Sequence, residues 1–219
     1  MIGNVTPLVS LNLNYRKGKP GEPLFISWDD ADTLFHEFGH ALHGLCSTAI
    51  YPRLAGPLSV SDFGEAPAMA NQYWLTTGPV LEQLVDRQGR SVPRALLHKL
   101  ERAQQFDKPL DRVSYLESAL LDMNMHLNAS TAATDLRAFE RQTLAALGAP
   151  PAVLPRHRIA HFNHVFAEEF YAANYYGYLW ADVLARDIFG AFVEARDPFD
   201  VTLASRYLKI GRASCRERV

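Results

Sequence analysis

The sequence predicts a mainly α-helical fold with a minor β element near its N-terminus, and two patterns support that prediction. From about residue 60 onward, apolar residues recur every three or four positions, the spacing that gives a helix one apolar face. Ahead of the helices, residues 9–15 (VSLNLNY) alternate between apolar and polar, which is typical of a half-buried strand. The apolar segment 24–28 (LFISW) predicts a second strand, and the turn residues 17–21 (KGKPG) separate the two. A small hairpin or sheet edge is therefore expected before the first helix.

Capping residues and apolar spacing predict the first two helices. The first covers about residues 30–45, with Asp29 or Asp30 as its N-cap. The second covers about residues 62–74; it opens with an acidic cap candidate and carries Pro67 in its first turn, where proline is tolerated. The stretch between them contains proline and glycine and is expected to be a loop.

Four longer helices are expected in the rest of the chain, over about residues 93–105, 110–127, 135–147 and 175–195. The 110–127 helix has one apolar face that is expected to point into the core, made of Val113, Leu116, Leu120, Met123 and Leu127. The last of these helices is apolar around most of its circumference, so it is expected to be buried.

Composition narrows the classes of partner. With 48% hydrophobic residues, the 219-residue chain is long enough for one substantial globular core. The net charge of −2 gives no reason to expect nucleic acid or an anionic membrane as a partner. No apolar stretch approaches the ~20 residues of a membrane-spanning helix. The N-terminus shows no signal-peptide pattern and two cysteines cannot make a disulfide framework, so a reducing, cytoplasmic location is expected. The oligomeric state is left open.

The most informative segment is residues 36–40, HEFGH, which places the pattern H-E-x-x-H inside an apolar helical stretch. His36 and His40 lie one turn apart on the same face of that helix, so both imidazoles can bind one Zn²⁺. Glu37 projects beside the metal, where a general base for a zinc-bound water is needed.

A third metal ligand is needed, because a catalytic zinc site uses three protein ligands and one open position. Glu65, near the start of the second helix, completes a His/His/Glu set; an equally good explanation is a first-turn acid that interacts with the helix dipole. Asp32, one turn before His36, either orients an imidazole or caps the helix. His43 is expected to have a packing or supporting role.

Three segments in this order and spacing resemble those of a known family: 34–44 (LFHEFGHALHG), 62–68 (DFGEAPA) and 171–180 (YAANYYGYLW). The chain resembles the thimet oligopeptidase/dipeptidyl carboxypeptidase family of zinc metallopeptidases (peptidase family M3) from its first apolar segment almost to its end. The resemblance implies a zincin-like metallopeptidase catalytic domain with one Zn²⁺ per chain. One departure is Gln72, which stands where the family usually has an acid.

The resemblance also implies a role for particular residues. The implied metal ligands are His36, His40 and Glu65. The implied general base is Glu37. Residues that contact substrate and stabilise the tetrahedral oxyanion in that family correspond here to His164, Tyr171 and Tyr178. Without the resemblance, His164 could instead join His157 and His161 in a second metal site, although lone histidines are more often structural.

The implied function is hydrolysis of peptide bonds in short peptides by a zinc-dependent metallopeptidase, acting as an oligopeptidase or a dipeptidyl carboxypeptidase. Both modes stay open, because no single arginine stands out as the partner of a substrate's terminal carboxylate. The alternative is a non-catalytic helical domain that binds metal or peptides. Glu37 argues against this alternative, since a purely structural metal site has no use for a base.

Both ends of the chain look unusual. Members of the family are several hundred residues longer, so residues 1–209 are expected to be a partial catalytic domain that lacks the N-terminal half of the family protein. Such a part is expected to associate with itself and to hydrolyse peptides poorly on its own. Residues 210–219 (IGRASCRERV) turn basic and poor in apolar residues, and they are expected to be a non-native tail. The alternative is a solvated basic tail of the natural protein.

Overall fold

The computed structural model describes residues 7–21, 24–48, 56, 61–86, 88–128 and 135–212. This part of the chain is mostly helical and divides into two compact units. Unit 1 contains the described residues of Met1–Val92 and Tyr178–Val219, and unit 2 contains those of Pro93–Gly177. Across the same described ranges, no helix is both long enough and apolar enough to cross a membrane.

Helices account for most of the described backbone. In chain order they are α1 (Trp28–Cys46), α2 (Ser61–Gly64), α3 (Ala66–Gln72), α4 (Gly78–Leu81), α5 (Arg94–Phe106), α6 (Lys108–Leu127), α7 (Leu136–Ala146), α8 (Asn163–Phe166), α9 (Gly177–Ala195) and α10 (Val201–Arg212). Short 3-10 turns cover Tyr73–Thr76, Ile159–His161 and Glu169–Tyr171. Helix α10 continues to Arg212, so the first residues of the expected tail are helical.

Helix α1 begins at Trp28, slightly earlier than predicted, because Ser27 is its N-cap. The Ser27 hydroxyl accepts a hydrogen bond from the Asp30 backbone N–H at 3.0 Å, and the Asp30 carboxylate accepts one from the Ser27 N–H at 2.9 Å. This reciprocal pair is a capping box, which satisfies two backbone donors at the start of the helix. The predicted N-cap, Asp29 or Asp30, is therefore wrong, and Asp30 supports the cap from inside the helix.

Helices α1 and α3 cross closely, and Gly39 allows the close approach. A Cβ at position 39 would lie 2.6 Å from the Cα of Ala68 and 2.9 Å from the Cβ of Asn71. Asn71 also donates its side-chain N–H to the Phe35 carbonyl at 2.6 Å, so a hydrogen bond joins the two helices beside the contact. The close crossing therefore depends on Gly39, which has no side chain at the contact, and on the hydrogen bond from the Asn71 amide.

The last two helices complete unit 1 around an aromatic cluster. Trp74 donates its indole N–H to the Pro198 carbonyl at 2.7 Å, and its ring meets the Phe189 ring edge-on. Tyr207 on α10 donates its hydroxyl to the Pro67 carbonyl at 3.2 Å. These contacts attach the C-terminal helices to the segment that carries α3.

Unit 2 is built around α6 and α7. Its buried apolar cluster, with the partly buried side chains of α7 packed against it, comprises Leu121, Met125, Ile159, Leu136, Phe139 and Leu144. Asp135 caps α7, because its carboxylate accepts the backbone N–H of Arg137 at 2.9 Å and that of Ala138 at 3.1 Å, both in the first turn of the helix. Glu140, which is buried on α7, accepts from the Ile159 N–H at 3.2 Å and pairs with Arg158. A buried carboxylate satisfied in this way fixes the chain segment that follows α7.

The predicted β element does not appear in the described residues. Residues 9–15 and 24–27 are irregular, and Trp28 already belongs to α1. Within the described ranges, β structure is limited to an isolated bridge between Val85 and Ser91. Alternation specifies a strand only where another strand supplies hydrogen-bond partners, and a lone two-stranded hairpin is marginal in water.

The predicted core face of α6 is also wrong. Leu116 and Leu120 are each 39% exposed and Leu127 is 73% exposed, whereas Tyr115 and Leu121 are buried. Helix α9 is likewise covered on one side only, since several of its large apolar side chains are more than half exposed. Apolar spacing makes a helix amphipathic, but a face is buried only where another element lies over it.

Candidate metal centre

Helix α1 and the start of α3 bring three side chains together. His36 Nε2 lies 3.1 Å from Glu65 Oε2, and His40 Nε2 lies 3.2 Å from the same oxygen. One ligand atom from each residue lies within 4.8 Å of the other two. The two imidazole rings meet edge to face, with centroids 4.9 Å apart and planes nearly perpendicular. These are the residues for which the sequence implies metal binding.

The donor set fits Zn²⁺. Ligand atoms bound at ~2.1 Å around a tetrahedral ion lie ~3.4 Å apart, and the two His–Glu separations of 3.1 and 3.2 Å are close to that value. The three side chains are between 20% and 25% exposed, so the cluster is mostly but not completely buried. Two imidazoles and one carboxylate also leave a fourth position for a ligand that is not part of the protein.

The charges of the cluster suit a cation. Burial alone would raise the pKa of the Glu65 carboxyl, but hydrogen bonds from His36 and His40 outweigh burial and lower that pKa to about 2. Burial lowers the pKa of His36, whereas hydrogen bonds to Glu65 and Gln72 and the charges of Glu65 and Glu37 raise it, and the net change is upward. The Glu65 carboxylate therefore favours the protonated form of His36, and a divalent cation can take the place of that proton.

Glu65 lies in the break between α2 and α3, at the N-cap position of α3. Its backbone is helical, with φ −85° and ψ −19°, and its side chain makes no capping hydrogen bond. The carboxylate turns instead toward His36 and His40. Of the two explanations that the sequence leaves open for Glu65, this geometry favours the ligand set over the helix dipole.

A hydrogen-bonded chain continues from His36 away from the cluster. His36 Nδ1 lies 3.1 Å from Gln72 Oε1, and Gln72 donates its Nε2–H to Asp32 Oδ2 at 2.5 Å. Asp32 therefore reaches the histidine through an amide. Because Ser27 and Asp30 already form the capping box of α1, these contacts fit the orienting role for Asp32 better than a capping role.

Glu37 and His43 flank the cluster on α1. Glu37 is partly buried, and its charge contributes to the raised pKa of His36. His43 is 5% exposed and meets the Phe63 ring edge-on, with centroids 6.0 Å apart. Burial, followed by the charge of His40, lowers the pKa of His43 to about 4, so this side chain is neutral near pH 7. The contacts of His43 are those of a packing residue.

The remaining site residues implied by the sequence belong to both units. Tyr178 on α9 belongs to unit 1, which also holds the metal-ligand cluster. His164 and Tyr171 belong to unit 2, where their rings are neighbours with centroids 4.6 Å apart. The approach of these two side chains to the metal ligands stays a prediction.

Buried Asp122 anchors the segment that follows Tyr171. Its carboxylate accepts the backbone N–H of Ala173 at 3.0 Å and that of Tyr175 at 2.9 Å, and it lies 2.8 Å from His126 Nδ1. Ala173 has a φ of 56°, in the left-handed region that residues other than glycine seldom adopt. The two hydrogen bonds to Asp122 hold the backbone in this conformation.

Gly39 and Asp122 are not among the functional residues that the sequence predicts. Gly39 could have been recognised because it is a glycine within an otherwise helical pattern, and such a glycine often marks a place where another element packs closely. Asp122 could have been recognised because it is an aspartate within an apolar helical stretch, and an acid buried there needs hydrogen-bond or ionic partners. The contact between Gln72 and Asp32 has no local signal, because the two residues lie on different helices.

The chain matches known proteins over most of its length. The family model described as Peptidase family M3 matches residues 2–216. A dipeptidyl carboxypeptidase of Salmonella typhimurium is 40% identical over 197 residues, which are 88% of this chain and 29% of that protein. Oligopeptidase A of Escherichia coli is 33% identical over 194 residues, 86% of this chain and 28% of that protein. Saccharolysin of Saccharomyces cerevisiae is 29% identical over 212 residues, 93% of this chain and 29% of that protein. The chain thus spans less than a third of the length of each relative. Its match to the family extends over nearly all of its own residues and includes the H-E-x-x-H helix, and the chain belongs to peptidase family M3.

Proposed function

We propose that this chain carries the metal centre of a zinc-dependent metallopeptidase with a zincin-like catalytic domain. The observation that supports the proposal most directly is the convergence of His36, His40 and Glu65, whose ligand atoms lie within 4.8 Å of one another. A catalytic zinc site uses three protein ligands and an open position, whereas a structural zinc site usually has four protein ligands. Membership of a peptidase family supports the same proposal.

The proposed chemistry is hydrolysis of a peptide bond with Glu37 as general base. Zn²⁺ supplies a Lewis acid that polarises the scissile carbonyl and lowers the pKa of water toward ~7. Glu37, next to His36 on α1, takes a proton from the attacking water as the water oxygen bonds to the carbonyl carbon. Glu37 then gives this proton to the leaving amine as the C–N bond breaks. The products are a new carboxyl terminus and a new amino terminus.

The proposed hydrogen-bond donors to the developing oxyanion are His164, Tyr171 and Tyr178. Removal of one donor from such a site typically costs ~3 kcal/mol of barrier stabilisation. His164 and Tyr171 are neighbours in unit 2, so they could act as a pair. Asp122 fixes the backbone just beyond Tyr171 and would limit the motion of that tyrosine.

The proposed substrates are short peptides, cleaved either internally or by release of C-terminal dipeptides. The names of two relatives, dipeptidyl carboxypeptidase and oligopeptidase A, favour these two modes of cleavage. A cytoplasmic location is part of the same proposal, and it agrees with the free thiol of Cys46.

Glu37→Gln tests the proposed function, with His36→Ala as the control that removes a ligand. Zinc content is measured by elemental analysis after dialysis, and hydrolysis is measured with a quenched fluorescent peptide at high protein concentration. The Glu37 variant should keep one zinc per chain and lose at least ~10²-fold in hydrolysis, because the base is gone but the ligands remain. The His36 variant should lose both.

Three results would count against this proposal. Loss of zinc in the Glu37 variant would make Glu37 a ligand or a structural residue. Unchanged hydrolysis would remove its role as base. Zinc bound by the wild type without any hydrolysis would favour the alternative, a non-catalytic metal-binding domain.

A further inference from the structure

The amide of Gln72 lies between an imidazole of the metal centre and a carboxylate. Its oxygen is 3.1 Å from His36 Nδ1, and its nitrogen is 2.5 Å from Asp32 Oδ2. Asp32 and His36 are one turn apart on α1, and Gln72 is the last residue of α3. The amide thus joins the two helices that carry the proposed ligands, and all three side chains are partly buried.

Only one orientation of this amide satisfies both neighbours. The Asp32 carboxylate only accepts hydrogen bonds, so it requires the NH₂ group of Gln72 on its side. The amide oxygen must then face His36, and an oxygen there accepts a hydrogen bond from Nδ1–H. A proton on Nδ1 leaves the lone pair of Nε2 as the donor toward a metal, on the side where Glu65 lies at 3.1 Å.

The second histidine has no comparable support in the described part of the chain. His40 Nδ1 is buried, and no hydrogen-bond partner for it is found among the described residues. The two imidazoles that face Glu65 therefore differ. His36 is held by hydrogen bonds through Gln72 to Asp32, whereas His40 is held by its packing. A substitution that breaks this chain should act on the metal through His36.

We propose that Gln72 is a positioning residue of the metal centre. Asp32 fixes the orientation of the Gln72 amide, and the amide in turn fixes the ring of His36 so that Nε2 faces the metal. The proposal rests on the proposed function, because it assumes that His36 binds zinc. The group that accepts the Nδ1–H hydrogen bond of His36 would thus be a neutral amide. The negative charge of Asp32 lies farther from the imidazole, on the other side of that amide.

Zinc affinity, measured by chelator competition on the 219-residue chain, tests the role of Gln72. Gln72→Ala should weaken zinc binding ~10–100-fold, the usual cost of losing the partner of a ligating histidine. Gln72→Glu combined with Asp32→Asn should restore binding, because the new carboxylate can accept the same Nδ1–H while the amide introduced at position 32 donates to that carboxylate. The matched control is Gln83→Ala, which also removes a glutamine amide; that amide is exposed and donates to the Pro79 carbonyl at 3.2 Å, away from the α1–α3 crossing, so its loss should leave the zinc affinity equal to that of the wild type.

Two further measurements separate positioning from a general loss of structure. Asp32→Ala should weaken zinc binding in the wild type but not in the Gln72→Ala background, because Asp32 acts through the amide. In zinc-loaded protein with ¹⁵N-labelled histidine, the Nδ1–H proton of His36 should be protected in the wild type and in the double variant with Gln72→Glu and Asp32→Asn. The same proton should exchange rapidly with water in Gln72→Ala.

The outcomes distinguish this proposal from the metal centre itself. Equal zinc affinity in the wild type and Gln72→Ala overturns the role of Gln72 and leaves the proposed function intact. Additive losses from Asp32→Ala and Gln72→Ala overturn the coupling between the two residues. Zinc bound no more tightly by the wild type than by His36→Ala overturns the metal centre, and the role of Gln72 with it.

Discussion

Substitution of Gly39 by alanine tests the close crossing of α1 and α3, on which the metal centre depends. The added Cβ would lie 2.6 Å from the Ala68 Cα, 2.9 Å from the Asn71 Cβ and 3.0 Å from the Pro67 carbonyl oxygen. None of these atoms is the end of a flexible side chain, so the helices themselves must separate. Carbon atoms in contact prefer ~3.5–4.0 Å, and the separation required is therefore about 1 Å.

Two terms set the change in the free energy of unfolding. Overpacking of this kind costs ~1–3 kcal/mol, and the better helix propensity of alanine offsets ~1 kcal/mol of that cost. We expect a net loss of up to about 2 kcal/mol in the free energy of unfolding. The metal is affected as well, because Glu65 directly precedes α3 and moves with it. A ligand displaced by ~1 Å lies outside the ±0.2 Å tolerance of zinc–ligand distances, so zinc affinity should fall by at least ~10-fold.

Urea denaturation measures the stability and chelator competition measures the zinc affinity, and Gly190→Ala is the matched control. Gly190 lies within α9, and no described atom comes within 4 Å of an added Cβ there. This control should gain ~0.5–1 kcal/mol in the free energy of unfolding and keep its zinc affinity. If Gly39→Ala is as stable as the wild type and binds zinc equally well, the helices do not cross as tightly as described, and the reasoning is refuted.

Three more predictions concern the cap, the tyrosine-rich segment and pH. Ser27→Ala should lower the free energy of unfolding by ~1 kcal/mol through loss of the capping box, and an unchanged urea midpoint would contradict this. Asp122→Ala should destabilise the protein by ~1–3 kcal/mol and speed amide hydrogen exchange at Ala173, because two backbone N–H groups lose their buried acceptor. In the metal-free chain, the folded-state pKa of Glu65 is lowered from 4.5 to about 2, so its contribution is fully present above pH 4.5 and is lost as the pH falls toward 2. Urea denaturation from pH 6 to pH 2 should show that loss in the wild type but not in Glu65→Gln.

Local interactions determined the parts of the fold that the sequence predicts well. Helices α5, α6 and α7 lie close to the predicted ranges, because helical hydrogen bonds and caps join residues a few positions apart. The shared face of His36 and His40 follows from the same period, and the observed rings are 4.9 Å apart. The predicted strands fail for the complementary reason: their hydrogen bonds would have to come from a distant segment, and none of the described residues supplies them.

Tertiary structure alone decided how the site is completed. The sequence leaves Glu65 with two equally good explanations, and its approach to the histidines depends on a helix crossing that Gly39 permits. The link from His36 through Gln72 to Asp32 likewise requires α1 and α3 to lie side by side. Which face of α6 is buried was decided in the same way, since apolar spacing defines a face but not the element that covers it. Contacts between residues far apart in the chain depend on the packing of whole helices, and the periodicity of one helix carries no information about its neighbour.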